Sequence, residues 1–129
     1  MYNKIKLSRL GLKLGFSISE NTFEEGLSIA HYGTIIVNPN VRVGKNCRIH
    51  TGVNIGADTN GNTPVIGNTV YIGPGAKIFG GIKIGDNTAI GANAVVTKSF
   101  PGNGTLVGMP ACQISDKGAD RLAIIHKWE

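Results

Sequence analysis

The chain repeats every six residues, and that period restricts the fold more than any other feature. From Val37 a large aliphatic residue recurs at Val43, Ile49 and Ile55, and after an interruption at Ile66, Ile72, Ile78, Ile84, Ile90 and Val96. Gly follows directly at Val43, Ile55, Ile66, Ile72, Ile84 and Ile90, and four residues after most of these aliphatics comes a smaller one, from Val41 and Cys47 to Thr88 and Ala94. An α-helix needs apolar spacings of three and four, and an amphipathic strand alternates over a longer run. A period of six with Gly after the large aliphatic suits a short strand, a turn and another short strand. Three such units close one triangular coil, and stacked coils share backbone hydrogen bonds and bury one aliphatic ladder per corner. Both the large and the small series are therefore expected to point inward.

Stacking follows from the spacing. One corner ladder is Ile29, Ile49, Ile72 and Ile90, the next is Val37, Ile55, Ile78 and Val96, and the third is Val43, Ile66 and Ile84. Two irregularities stand out: eight residues instead of six separate Ile29 from Val37, and eleven separate Ile55 from Ile66. A stacked core tolerates no insertion, so extra residues loop outward, where function concentrates. The first insertion holds His31-Tyr32-Gly33-Thr34 and the second is the polar stretch from Asp58 to Pro64. The expected organisation is a basic cap over 1–17, a β-helix over 18–112 and a tail over 113–129. Within that tail Ser115 to Glu129 reads as a short helix, with Ser115 or Asp116 near its start and Leu122, Ile125 and Trp128 on one face. Ile35 and Val95 are expected as outward aliphatics that suit lateral packing between copies.

Composition narrows the function. With 6% aromatic and 41% apolar residues in 129, the chain is one modest domain whose core must be built from aliphatic and small side chains. The net charge of +5 suggests nucleic acid until it is located: Lys4, Lys6, Arg9 and Lys13 precede every acidic residue, and the remainder is nearly neutral. No basic helix face interleaved with aromatics is present, so no nucleic-acid partner is expected. No apolar run approaches the roughly 20 residues that span a bilayer, and the first 15 residues lack the continuous apolar segment of a signal peptide. Cys47 and Cys112 show no metal-ligand spacing or disulfide framework. A soluble protein of the cytoplasm is expected.

The hexads, as in Ile84-Gly85-Asp86-Asn87-Thr88-Ala89-Ile90-Gly91-Ala92-Asn93-Ala94-Val95, resemble those of the hexapeptide-repeat acyltransferases. That resemblance implies a left-handed parallel β-helix, all-β apart from the short C-terminal helix. The segment Gly26-Leu27-Ser28-Ile29-Ala30-His31-Tyr32-Gly33-Thr34, with Gly52-Val53-Asn54-Ile55-Gly56 and the ending Val107-Gly108-Met109-Pro110-Ala111, is similar to the serine O-acetyltransferase branch. There the matching segment reads GLFIDHGTG, and its His is the base for acetyl transfer from acetyl-CoA. Imidazole, with an ordinary pKa of roughly 6.5, is suited to take a hydroxyl proton as attack begins. His31 is thus the candidate catalytic residue and acetyl-CoA the expected co-substrate, with no metal. The resemblance also implies three chains packed side by side, with sites in the grooves between them.

The acceptor side departs from that pattern. In serine acetyltransferases an Asp precedes the His, another Asp opens the preceding coil, and the loop ends in DRHPKI, whose Arg and His hold the serine carboxylate. Here Ala30 precedes His31, no acid lies in Phe16 to Ile18, and Asn62 and Thr63 precede Pro64. Losing those charge-assisted hydrogen bonds argues against free serine. A sugar hydroxyl of a surface polysaccharide or its precursor fits better, with L-serine as the alternative. Asn62 and Thr63 are candidate acceptor contacts, and so is His50, which the ladder places over Ala30. His126 is expected to be structural or exposed.

The resemblance places coenzyme A contacts on Ala57, Pro74, Ala89 and Ala92. Spacing puts His31, Thr51, Pro74 and Ala92 in one column and Pro39, Ala57, Gly80 and Lys98 in another. Lys98, with Lys77 or Lys83, is a candidate for the phosphates, and Gly80 or Gly81 for backbone N–H groups at the oxyanion. Two other classes share the fold: a zinc enzyme of carbonic anhydrase type, which needs three converging histidines, and an inactive β-helical scaffold.

Overall fold

The computed structural model describes residues 15–31 and 33–122. Fourteen short strands succeed one another: β1 (Phe16–Ser17), β2 (Ser28–Ile29), β3 (Ile35–Val37), β4 (Arg42–Val43), β5 (Arg48–Ile49), β6 (Asn54–Gly56), β7 (Val65–Ile66), β8 (Tyr71–Ile72), β9 (Lys77–Phe79), β10 (Lys83–Ile84), β11 (Thr88–Ile90), β12 (Val95–Val96), β13 (Gly104–Val107) and β14 (Cys112–Ser115). From β2 to β12 every third strand joins the same sheet, and β1 and β13 add to these sheets beside β3 and β11. One sheet runs β1-β3-β6-β9-β12, the second β4-β7-β10 and the third β2-β5-β8-β11-β13 with β14 at its edge. All pairings are parallel except β13 with β14. The architecture is the left-handed parallel β-helix, in which each strand pairs with the one a full coil away.

The three corner ladders form in the registers that spacing predicts. Ile29 pairs with Ile49, Ile49 with Ile72 and Ile72 with Ile90; Val37 pairs with Ile55 and Ile55 with Ile78; Val43 and Ile84 flank Ile66. Leu106 extends the first ladder one coil further. The smaller series is inside as well: Val41, Cys47, Val70, Ala76 and Ala94 are fully buried. Thr88, the polar member, donates its hydroxyl to the Gly85 carbonyl at 2.8 Å, which removes the cost of burying an oxygen. The turn between the second and third sheets needs a left-handed residue in each coil, and Asn46, Thr69, Asn87 and Asn103 supply it with φ of 58°, 56°, 58° and 51°. Asn tolerates that region better than most side chains.

Two expectations are corrected. Ile35 is not outward: it is fully buried, and Ile36 is the exposed residue of β3. Side chains alternate along a strand, and Ile35 shares the inward face with Val37. The tail does not begin as a helix at Ser115. Cys112–Ser115 form β14, antiparallel to β13, and among the described residues of the tail Ala119–Arg121 form one 3-10 turn. The backbone of β14 found a free strand edge, which sequence periodicity does not reveal. Beyond it the chain runs back across the outer face of the third sheet. The Thr105 hydroxyl donates to the Lys117 carbonyl at 2.7 Å, the Asp120 N–H donates to Asn87 Oδ1 at 2.8 Å, and Ala119 packs on Ala89. Ile125, His126 and Trp128, and most of the basic cap, lie outside the described residues.

Candidate active site

The eight-residue gap is resolved as two added residues. The Ala30 N–H donates to the Ile49 carbonyl at 3.0 Å, so Ala30 is level with His50. Register resumes at Gly33, where an added Cβ would meet Thr51 Oγ1, and at the Gly52 N–H, which donates to the Thr34 carbonyl. His31 and Tyr32 are therefore the surplus. The expected column is corrected at its first member: Gly33, not His31, comes against Thr51. His31 is exposed at the corner leading from the third sheet to the first. The rest of the column holds, since the Gly75 N–H donates to the Thr51 carbonyl and the Asn93 N–H to the Pro74 carbonyl. Thr51, Pro74 and Ala92 are all exposed along this edge. Glycine suits Gly75: its φ is +76°, and a Cβ would lie 2.1 Å from Asn93 Oδ1, so that side chain would have to shift.

His50 stands beside this corner. Its ring meets that of Tyr71 edge to face, with centroids 5.2 Å apart and planes at 64°. Its Nε2 is buried with no hydrogen-bond partner among the described residues. Burial above all, then the charge of Arg48 and the neighbouring His31, holds its pKa below the ordinary value. Arg48 donates to Ser28 Oγ at 2.7 Å, and its Nε is buried without a partner among the described residues. The sequence reading overlooked Arg48 and Tyr71. Alternation about Ile49 and the pairing of Ile49 with Ile72 contain the signal for both.

The eleven-residue gap forms a loop at the opposite edge of the first sheet. Asp58 organises it: Oδ1 accepts the N–H groups of Asn60 at 2.9 Å and Asn62 at 3.0 Å. The Asn62 N–H foremost, with the N–H groups of Asn60 and Gly81 and the Asn62 amide, holds the Asp58 carboxyl below its usual range against an opposing desolvation. Asn62 and Thr63 lie in this loop, with Thr63 Oγ1 donating to the Asn40 carbonyl at 3.2 Å. One chain does not bring them to His31; the width of the first sheet separates the two corners.

The coenzyme-side residues divide. Ala57, Gly80 and Lys98 follow β6, β9 and β12 along the loop's edge, and Lys98 Nζ sits 5.5 Å from the Phe100 ring centroid. Four candidates are corrected. The Gly80 N–H already donates to the Gly56 carbonyl at 3.2 Å and the Gly81 N–H to the Asp58 carboxylate, so neither is open to an oxyanion. Lys77 Nζ is engaged by the carbonyls of Gly52 and Gly75, which leaves Lys83 and Lys98 for phosphates. Ala89 faces outward from β11 but is covered by Ala119 and the tail. Among the described residues no group of three or more His, Cys, Asp or Glu could hold a metal ion.

The family profile described as bacterial transferase hexapeptide (six repeats) matches residues 63–98. Among solved structures, the chain superimposes on serine acetyltransferase from Brucella abortus strain S19 with TM-score 0.78 and 36% identity over 87% of this chain and 47% of that one. Serine acetyltransferase from Neisseria gonorrhoeae gives TM-score 0.74 and 32% identity over 84% and 44%. The chain carries the bacterial transferase hexapeptide repeat and is similar in sequence and fold to the serine acetyltransferase-like branch of the hexapeptide-repeat acyltransferases. A structure of the Brucella enzyme in complex with coenzyme A matches with TM-score 0.77 and 34% identity over 86% and 46%. The chain thus spans about half the length of these enzymes. Comparison with curated protein sequences finds no match.

Proposed function

We propose that the chain is an acetyl-CoA-dependent O-acetyltransferase acting on a sugar hydroxyl of a surface polysaccharide or its precursor. The observation that carries this reading is His31: an exposed imidazole on a two-residue insertion, beside an edge of small residues in a chain whose structural relatives are serine acetyltransferases. The column Thr51, Pro74 and Ala92 leaves a pantetheine arm room to lie extended, as an added strand does, and Lys83 and Lys98 are the open cations for its phosphates. His31 takes the proton from the acceptor hydroxyl as its oxygen attacks the thioester carbonyl. Collapse of the tetrahedral adduct breaks the C–S bond, and the imidazolium returns the proton to the departing thiolate. His31 and the Asn62–Thr63 loop lie at opposite edges of the first sheet, which suits a homotrimer whose sites combine one edge from each of two neighbours. The two free cysteines fit a reducing compartment such as the cytoplasm.

L-Serine is the second reading, favoured by the relatives and by a Neisseria gonorrhoeae serine acetyltransferase structure in complex with serine. Release of CoA thiol from acetyl-CoA, measured with L-serine and with a panel of sugars, separates the two. Turnover with a sugar and none with serine is expected. Turnover confined to serine overturns the sugar assignment.

A further inference from the structure

Arg48 and His50 flank the fully buried Ile49, and alternation sends both side chains to the outer face of the third sheet. The preceding coil offers only Ser28 and Ala30 on that face, and the following coil offers Tyr71 and the side-chain-free Gly73. The result is a shelf with small residues on one side, an aromatic wall on the other, and His31 next to Ala30 at its end. The shelf holds, among the described residues, a guanidinium and two imidazoles and no acid. Among the described residues the ion pair between Lys45 and Glu25 lies elsewhere, and the Arg48 side chain hydrogen-bonds to a neutral hydroxyl, that of Ser28.

Two buried polar atoms on this shelf, Arg48 Nε and His50 Nε2, have no partner among the described residues. Buried polar atoms in native folds are almost always satisfied, and a half-buried guanidinium without a counter-ion is costly. The geometry points to an acceptor-side anion site in which Arg48 receives a carboxylate, so that the acceptor is an acidic sugar of uronic type with no ammonium group. This names the acceptor class of the proposed transferase and rests on that reading only for the role of His31. An ammonium, which serine would bring, finds no anionic partner on the shelf. The pKa of His50 is lowered first by burial and further by the charges of Arg48 and His31, and only this second part reports a locally positive potential.

The test is direct binding to the full chain, followed by NMR of the His31 and His50 ring resonances, with D-glucuronate, D-glucose and L-serine as probes. D-Glucuronate is expected to shift both rings at millimolar concentration, and D-glucose, which differs in lacking the carboxylate, to bind at least about tenfold more weakly, the usual effect of losing a charge-assisted hydrogen bond. Arg48→Met is expected to abolish the preference and Arg48→Lys to restore it in part, which separates loss of the cation from loss of the fold. Equal binding of D-glucuronate and D-glucose, equal binding of L-serine, no shift with D-glucuronate, or unchanged D-glucuronate binding by Arg48→Met in a folded protein overturns the proposal. Transfer is read apart from binding: Arg48-dependent binding without any release of CoA thiol overturns the transferase reading and leaves the anion site standing.

Discussion

At the residue scale, two histidines one coil apart face different demands. His31 is exposed on its insertion, whereas His50 is wedged against Tyr71 with a buried ring nitrogen and a pKa held below the ordinary 6.5 by burial, Arg48 and His31. Between its folded and ordinary values the unfolded chain binds more protons than the folded one, so stability rises with pH across that window. The contribution of His50 is complete above pH 6.5 and is lost as the pH falls toward the folded value. Urea midpoints measured from pH 8 down to pH 5 are expected to fall in the wild type, and His50→Gln is expected to flatten the lower part of the curve; parallel curves would contradict this. Burial pushes the Cys47 thiol up to about 12, whereas Cys112 is exposed. Iodoacetamide at pH 8 should therefore modify one thiol per native chain and two after unfolding, as counted by mass. Sequence alone already set Cys47 inside, because it falls in the small series of the hexads. Arg48 beside His50 was legible too, from alternation about Ile49, but the apolar period does not mark an outward side chain and so did not draw attention to it.

At the element scale, the hexads were legible and the places where they stop were not. Each ladder pair from Ile29 to Val96 follows from counting, since a register slip would turn aliphatic side chains into solvent. The end of the repeat obeys a different rule. β13 leaves an edge that the chain satisfies with its own β14, and Ser115 to Leu122 then fold across Ala89 where a helix was expected. Gly118 makes that return possible: a Cβ there would lie 1.9 Å from the Asn87 carbonyl oxygen. Gly118→Ala is expected to lift the segment, expose Ala89 and Tyr71, and speed proteolysis after Lys117 or Arg121 severalfold while the coils stay folded. Unchanged cleavage would mean that the segment is not held by this close approach. The same coverage explains why Ala89, assigned to the coenzyme by resemblance, faces this chain's own tail.

At the scale of the whole molecule, a stack of coils offers edges rather than a cleft. The two insertions decorate opposite edges of the first sheet, and the exposed aliphatic Ile36 lies between them on the sheet's outer face. Among the described residues of one chain, His31 and the polar loop of Asn62 and Thr63 stand at different edges of the first sheet; in the proposed homotrimer a neighbour's loop would come to this histidine. Sequence spacing located both insertions, while the partition of the site between corners needed the coil to be built. The central claim is that His31 is the base of acetyl transfer, and it is tested most directly by assaying CoA thiol release from acetyl-CoA with an acidic sugar acceptor, for wild type and His31→Ala in parallel. Loss of a general base typically removes a factor of about 10² to 10⁴ in rate. The account predicts a fall of that size in kcat, with coenzyme A binding and the folded state unchanged; a His31→Ala protein that turns over at the wild-type rate would contradict it.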